Sequence, residues 1–416
     1  MRVKDPFEDI DVNPRRAFAV TLALVAAVVV WAVFQPRQAA LFGMIIAFLF
    51  IILLHEAGHL AMAKRAGMKV TEFFVGFGPR LWSVQRGETE YGVKAIPLGG
   101  YCRVIGMTNL EEVAPEDEPR VYRSKSWHDK VLMAVAGPSV HFVLAVVLMA
   151  VVLLGAGDLQ SRRATTTLGE VTLGAAAAGL RAGDVLVAID GTPVTDWSQV
   201  PALVSGTPAD PRPAGSVVRI TVEREGADIS VPVTLRDSGD PELRRAVAGI
   251  GSRIEVPQPG VVGAIALAPV RVAQFTWESV KALGSMFSPA GITNYFRLLT
   301  GDTGPQTNEA QRFVSPVGFG QLANNAVRAG WVDALGLLIA INIFVGLFNL
   351  LPLLPFDGGH IAIATYEKLA SLVRRRRVQV DAAKLLPVTV AVVAVLGFIF
   401  LSSLFLDITR PVQNPF

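Results

Sequence analysis

Apolar runs of membrane-spanning length recur along the chain and predict a polytopic α-helical membrane protein. A helix needs about 20 apolar residues to cross a bilayer, and five stretches meet this requirement. They lie near residues 17–34, 40–63, 131–154, 333–355 and 386–407. A cleaved signal peptide is the alternative for the first run. No small-residue cleavage site follows it at a suitable distance, so a retained anchor helix is the favoured interpretation.

The segments between these runs have different patterns. Residues 75–101 alternate apolar and polar positions around glycine-rich turns, which predicts a β-hairpin. Its edge is suited to pairing with an extended peptide, and the alternative is a small sheet that only packs. Further strands are predicted at 217–225 and 229–235, with one more between two turns in 179–194. Beyond about 256 the pattern changes to an amphipathic or apolar helix, and this part is expected on the membrane surface.

The charge distribution gives an orientation and argues against nucleic acid as a partner. The chain is 51% hydrophobic and 18% charged, with a net charge of only +3. Basic residues flank the first, second and fourth runs at Arg2, Lys4, Arg15, Arg16, Lys64, Arg65 and Arg374–Arg377. Because basic residues stay in the cytoplasm, we expect a cytoplasmic N-terminus. The long segment between the third and fourth runs is then extracytoplasmic.

The second apolar run contains the candidate chemistry. His55, Glu56 and His59 form an HExxH motif, which binds zinc through two histidines one helical turn apart and carries a glutamate base. Ionisable residues inside a spanning helix are costly and are usually functional. The single cysteine, Cys102, excludes an intrachain disulfide and a cysteine-based zinc site. The remaining histidines are His128, His141 and His360.

A third metal ligand is predicted near the end of the fourth run. Asp357 follows Pro352 and Pro355, which interrupt regular helix in an otherwise apolar stretch. The predicted topology brings Asp357 and the histidine pair to similar membrane depth. Two histidines, one aspartate and an open fourth position are typical of catalytic zinc. His360 is the alternative ligand.

Two other classes of function compete with a protease. The first is a membrane-anchored adaptor with a non-catalytic metal site, although structural zinc has no need of the base Glu56. The second is a metal transporter, for which the hairpin and the large extracytoplasmic segment have no evident use.

Four motifs resemble those of the site-2 protease family of intramembrane zinc metalloproteases, and most closely its bacterial, anti-sigma-factor-cleaving branch. They are HEAGH (55–59), AGPSVH (136–141), GLRAGDVLVAIDG (179–191) and NLLPLLPFDGG (349–359). The resemblance implies that His55, His59 and Asp357 bind Zn²⁺ and that Glu56 is the catalytic base.

The resemblance also implies substrate contacts and domains. Asn349, Gly99 and Gly100 are assigned to substrate binding, and 73–101 resembles the family's membrane-associated β-hairpin. Two features depart from the family pattern, namely His141 at a position usually held by asparagine and the extra N-terminal span. The expected division is an anchor (1–38), a metal-helix region with the hairpin (39–160), one extracytoplasmic PDZ domain with no ligand indicated (161–250), an amphipathic region (251–330) and an Asp-bearing region (331–416).

The expected function is therefore cleavage of transmembrane segments in single-span membrane proteins. Anti-sigma factors and signal-peptide remnants are the expected substrates, in regulated intramembrane proteolysis. The expected location is the inner (cytoplasmic) membrane, where the lipid bilayer and the transmembrane substrates are the partners.

Overall fold

A computed structural model of the chain describes residues 35–207, 209–237, 246–301 and 312–412. The predicted N-terminal anchor at 17–34 lies outside these residues. The described part divides into two compact units: the second is formed by Leu153–Gly263, and the first by the residues before and after it. The predicted domain bounds remain predictions.

Long helices dominate the first unit. The helices of the whole described chain are α1 (Pro36–Arg65), α2 (Trp127–Ala156), α3 (Leu173–Ala177), α4 (Val200–Ser205), α5 (Gly260–Met286), α6 (Pro289–Thr300), α7 (Pro316–Ala329), α8 (Trp331–Asn349), α9 (Asp357–Arg374) and α10 (Ala382–Thr409). Within the described residues, five are long and apolar enough to span a membrane, namely α1, α2, α5, α8 and α10.

Three predicted spans, those at 40–63, 131–154 and 386–407, are confirmed as such helices. Of the amphipathic and apolar alternatives beyond residue 256, helix α5 fits the apolar one, because its 27 residues have spanning length and hydropathy. The sequence did not count this helix among the predicted spans. The span predicted at 333–355 was too long, because α8 ends at Asn349. Proline has no amide hydrogen for a helix, and Pro352 and Pro355 fall in the irregular stretch that follows.

Serine caps and glycine stops set the bounds of α6 and α7. Ser288 accepts a hydrogen bond from the amide of Gly291, directly before a proline that begins α6. Ser315 caps α7 in the same way. Such caps satisfy amides that have no partner within the helix. The helix α6 ends at Gly301, whose φ of 88° lies in the left-handed region that favours glycine.

Two long strands, β1 (Val70–Arg86) and β2 (Thr89–Val104), pair antiparallel between α1 and α2. The sheet is curled, because Glu72 of β1 pairs with both Arg103 and Glu90 of β2. Large apolar side chains remain exposed on it, including Leu81 at 66% and Trp82 at 60%. An exposed apolar patch marks a surface that meets a partner or a membrane. Membrane association of this sheet remains a prediction.

The second unit is built on a six-stranded sheet. Five of its strands follow one another in the order β12 (Ile250–Glu255), β3 (Arg163–Val171), β4 (Val185–Ile189), β8 (Val217–Arg224) and β9 (Ala227–Thr234), and β5 (Thr192–Pro193) also pairs with β4. The predicted strands at 217–225 and 229–235 are present as β8 and β9. The strands of the unit are β3 (Arg163–Val171), β4 (Val185–Ile189), β5 (Thr192–Pro193), β6 (Gly206–Thr207), β7 (Asp210–Pro211), β8 (Val217–Arg224), β9 (Ala227–Thr234), β10 (Arg236–Asp237), β11 (Ala246–Val247) and β12 (Ile250–Glu255). Alternate residues of β8 are fully buried and form the core with Leu186 and Ile189 of β4.

Candidate metal centre

The two histidines of the HExxH motif lie on one face of α1, and both are buried. Their Nε2 atoms are 3.1 Å apart. His59 Nδ1 lies 2.8 Å from the carbonyl oxygen of Met133 on α2 and donates to it, since a carbonyl only accepts. This bond leaves Nε2 of His59 as the lone-pair nitrogen and fixes the orientation of the ring, as is usual for metal-binding histidines.

Asp357 completes a three-residue cluster from a distant part of the chain. Its Oδ2 atom is 3.4 Å from His55 Nε2 and 3.3 Å from His59 Nε2. The same oxygen is buried and has no hydrogen-bond partner among the described residues. A Cβ atom on Gly358 would lie 2.3 Å from two backbone carbonyls, so only glycine permits the chain reversal that presents Asp357.

This cluster fits zinc. The three facing atoms form a triangle with edges of 3.1 to 3.4 Å. Tetrahedral zinc with bonds of about 2.0–2.1 Å requires ligand atoms roughly 3.3 Å apart. The donors are two imidazoles and one carboxylate, which leaves one tetrahedral position for water or substrate. Within the described ranges this group has the spacing of a metal site.

Close approach of α2 to α1 depends on small residues. A Cβ on Gly58 would lie 2.8 Å from the carbonyl oxygen of Ala136, so α1 and α2 touch through their backbones. A Cβ on Gly137 would lie 2.3 Å from His59 Nε2 and 2.7 Å from His55 Cε1. Gly137 therefore keeps open the space in which the two imidazoles meet. The sequence motif AGPSVH contained this glycine, but not the reason for it.

Glu56 is half-buried and lies between the histidine face and strand β2. A Cβ on Gly100 would be 3.2 Å from the Cγ atom of Glu56, and the backbone of Cys102 interacts with the Glu56 carboxylate. The edge of β2 therefore passes directly beside the predicted base. This juxtaposition is absent from the sequence, where the two segments are more than 40 residues apart.

The predicted substrate-binding residues lie in two places. Gly99 and Gly100 belong to β2, and Gly99 has a φ of 139° that favours glycine. Asn349 is the last residue of α8 and is half-buried, and its side chain makes no hydrogen bond to another described residue. Its amide is therefore available to a substrate. The substrate role of all three residues remains a prediction.

Sequence reasoning missed a buried polar pair beside the cluster. His141 of α2 is 1% exposed, and its ring centroid is 5.0 Å from that of His55. Its Nδ1 lies 3.1 Å from Oδ1 of Asn342, which is fully buried and donates to the carbonyl of Leu338. An asparagine in the middle of the apolar α8, Asn342, was the available signal. His141 and His360 are not in the described metal-ligand group, which contains Asp357 instead.

Comparison with known proteins settles the family. The sequence profile described as Peptidase family M50 matches residues 43–396. The chain belongs to peptidase family M50. The zinc metalloprotease Rip1 of Mycobacterium tuberculosis (strain H37Rv) is 35% identical over 408 residues, covering 89% of this chain and 96% of that protein. Rip1 of Mycolicibacterium smegmatis is 37% identical over 403 residues, covering 88% and 97%. Metalloprotease MmpA of Caulobacter vibrioides is 28% identical over 380 residues, covering 79% and 87%.

Family membership and geometry agree on the chemistry. This M50 peptidase has spanning helices, and one of them carries the HExxH histidines. The donor set of the cluster is that of a catalytic zinc site. The chain is therefore a multi-pass intramembrane zinc metalloprotease, as the sequence predicted.

Proposed function

We propose that this protease cleaves transmembrane segments of single-span proteins in the inner membrane, with anti-sigma factors or signal-peptide remnants as substrates of regulated intramembrane proteolysis. One observation carries the proposal. His55 and His59, on a helix of spanning length, and Asp357, about 300 residues later, converge to within 3.4 Å. A hydrolytic centre on a spanning helix meets peptide bonds that soluble proteases do not reach.

Each residue of the site has a separate role in peptide hydrolysis. His55, His59 and Asp357 would hold the metal, and a bound zinc ion would act as a Lewis acid toward the scissile carbonyl and would make water more acidic. Glu56 accepts a proton from the attacking water and returns it to the leaving amine. Met133 and Gly137 keep the imidazoles in place, the first by its hydrogen bond to His59 and the second by lacking a side chain.

A transmembrane substrate has to unwind before cleavage, because the amides of a helix are bonded internally. The edge of β2 near Gly100 offers main-chain groups for an unwound strand, directly beside Glu56. Asn349 supplies a side-chain amide for a further contact. Both features support substrate binding by strand addition in front of the base.

The second unit supports a further part of the proposal. Its six-stranded sheet and the GLRAGD segment are consistent with one extracytoplasmic PDZ domain. We propose that this domain acts as a size filter, which excludes substrates with large extracytoplasmic domains. Deleting 163–237 is expected to allow cleavage of full-length substrates that the intact enzyme rejects. Continued rejection by an enzyme that still cleaves trimmed substrates would contradict this filter.

The decisive experiment is Glu56→Gln in full-length protein, with Glu88→Gln as the control at an exposed glutamate. Cleavage of a single-span reporter and zinc content are measured together. We expect Glu56→Gln to keep zinc and to lose cleavage by a factor of about 100 or more, since a general base contributes roughly that much. Zinc binding without cleavage in the unsubstituted protein would favour the adaptor. Undiminished cleavage by Glu56→Gln would remove the proposed mechanism.

A further inference from the structure

A cleft separate from the metal ligands opens where α2 begins. Its walls are the first turn of α2, the C-terminal half of α9, and the chain that follows α9 at 377–379, and its volume is about 160 Å³. A water site needs only about 10–15 Å³, so the cleft has room for roughly ten waters. Four basic side chains and a single carboxylate line it, namely Lys125, Lys130, Lys368, Arg377 and Glu367.

The single carboxylate leaves most of this positive charge uncompensated. Both oxygens of Glu367 are used, one by Lys130 Nζ at 2.9 Å and the other by the amide of Val380 at 2.9 Å. Lys125 and Lys368 form no ion pair with any described residue. Arg377 donates to the carbonyl of Arg123 at 3.1 Å, which positions the guanidinium without neutralising it.

An acid close enough to interact with Arg377, Glu118, is already engaged. Glu118 accepts hydrogen bonds from Arg123 at 3.0 and 2.6 Å. Three cationic groups therefore face a cleft that has no free carboxylate among its described lining residues. Such a site selects an anion, and phosphate oxygens are the usual partners of clustered lysine and arginine.

The surroundings of the cleft indicate the source of the phosphate. Trp127, which lines the cleft, is the first residue of a spanning helix, and its indole donates to Thr365. Tryptophan is enriched at the level of lipid headgroups. Helix α9 exposes four large side chains, Tyr366, Leu369, Leu372 and Val373, at 54 to 83%, and within this apolar face Leu372 lies one turn beyond Lys368 of the cleft. Lipid acyl chains would bury this apolar face, whereas a free phosphate ion would leave it exposed to solvent.

We propose that this cleft binds the phosphate headgroup of an anionic phospholipid, whose acyl chains lie along the exposed apolar face of α9. Lys125, Lys368 and Arg377 contact the phosphate, and the Lys130–Glu367 pair forms the floor. Basic pockets between spanning helices are a common form of lipid-headgroup site. The site is independent of catalysis, because none of these five residues belongs to the metal cluster or to the predicted substrate contacts.

The test is lipid titration of the full-length, detergent-solubilised protein, followed by native mass spectrometry. Phosphatidylglycerol is the probe and phosphatidylcholine the neutral comparison. The variant Lys125→Ala/Lys368→Ala/Arg377→Ala removes the three cleft charges. The matched control, Arg374→Ala/Arg375→Ala/Arg376→Ala, removes the same number of charges from the adjacent segment but none from the cleft. Zinc content and thermal unfolding of each variant report on its folding, and Lys125→Arg/Lys368→Arg retains the charges.

We expect wild type, the control and the charge-retaining variant to prefer phosphatidylglycerol, and the cleft variant to bind it more weakly by on the order of a hundredfold. Equal weakening in the cleft variant and the control would overturn the proposal in favour of diffuse attraction to the basic segment. Displacement of the lipid by millimolar inorganic phosphate would overturn the lipid as ligand. An unfolded cleft variant whose charge-retaining counterpart folds but shows no lipid preference would also overturn it.

Discussion

Replacing Gly137 by alanine should remove zinc without removing a ligand. The new Cβ would lie 2.3 Å from His59 Nε2, whereas real Cβ contacts essentially never fall below 3.0 Å, so one partner has to move by at least 3.0 − 2.3 = 0.7 Å. The imidazole is not free to yield, since its Nδ1 is bonded to Met133 at 2.8 Å. Zinc sites tolerate ligand displacements of only about 0.2 Å.

The expected loss of zinc affinity is therefore at least about 100-fold, because even residues that merely support a ligand cost roughly 10- to 100-fold. That factor corresponds to about 2.8 kcal/mol, at about 1.4 kcal/mol for each factor of ten. The assay is zinc competition against a chromophoric chelator in detergent, with elemental analysis for stoichiometry. Gly43→Ala is the control on the same helix, since a Cβ there meets nothing within 4 Å.

Thermal unfolding of the zinc-free proteins separates a local effect from general loss of packing. The zinc-free Gly137→Ala protein should unfold close to zinc-free wild type if the imidazoles move. A Gly137→Ala protein that binds zinc with wild-type affinity would refute the reasoning, because the space between α1 and α2 would then not be limiting.

Two further predictions concern groups outside the spanning helices. Two hydrogen bonds from Arg224, both 2.7 Å long, hold the pKa of Asp184 below its ordinary value. The ionised carboxylate therefore stabilises the fold fully above about pH 4, the ordinary pKa of an aspartate. This stabilisation is lost as the pH falls through the lower pKa of the folded state. Asp184→Asn should therefore destabilise β4 by about 3 kcal/mol at neutral pH. Hydrogen exchange of the β4 amides in full-length wild type and variant measures this difference in stability, which should shrink in acid. An equal difference at neutral and acid pH would contradict the prediction. Burial, and secondarily the charge of Glu56, raises the pKa of the Cys102 thiol to about 12. Alkylation of Cys102 at pH 8 should thus be slower than in denatured protein by on the order of a thousandfold, and equal rates would show that the thiol is not buried.

The sequence predicted the metal centre for a reason specific to its ligands. The HExxH spacing needs only a regular helix to place His55 and His59 on one face, and α1 is regular there. Asp357 was located because Pro352 and Pro355 interrupt an apolar run. Both signals are local, and the resulting convergence follows from matched depth in the membrane.

Other features depend on contacts between elements, which no local pattern contains. The fit of Gly137 against the imidazoles requires the packing of α2 on α1. The double pairing of Glu72 requires a curled sheet, which strand alternation does not reveal. Pro269 and scattered charges interrupt the apolar pattern of α5, which the sequence did not identify as a span.

Asp357 and the two histidines together form the site for one zinc ion. The most direct measurement is the zinc stoichiometry of folded Asp357→Ala beside folded His360→Ala, the alternative ligand one turn further along α9. We expect one zinc per chain in wild type and in His360→Ala, and substoichiometric zinc in Asp357→Ala. Full zinc occupancy in Asp357→Ala together with zinc loss in His360→Ala would contradict it.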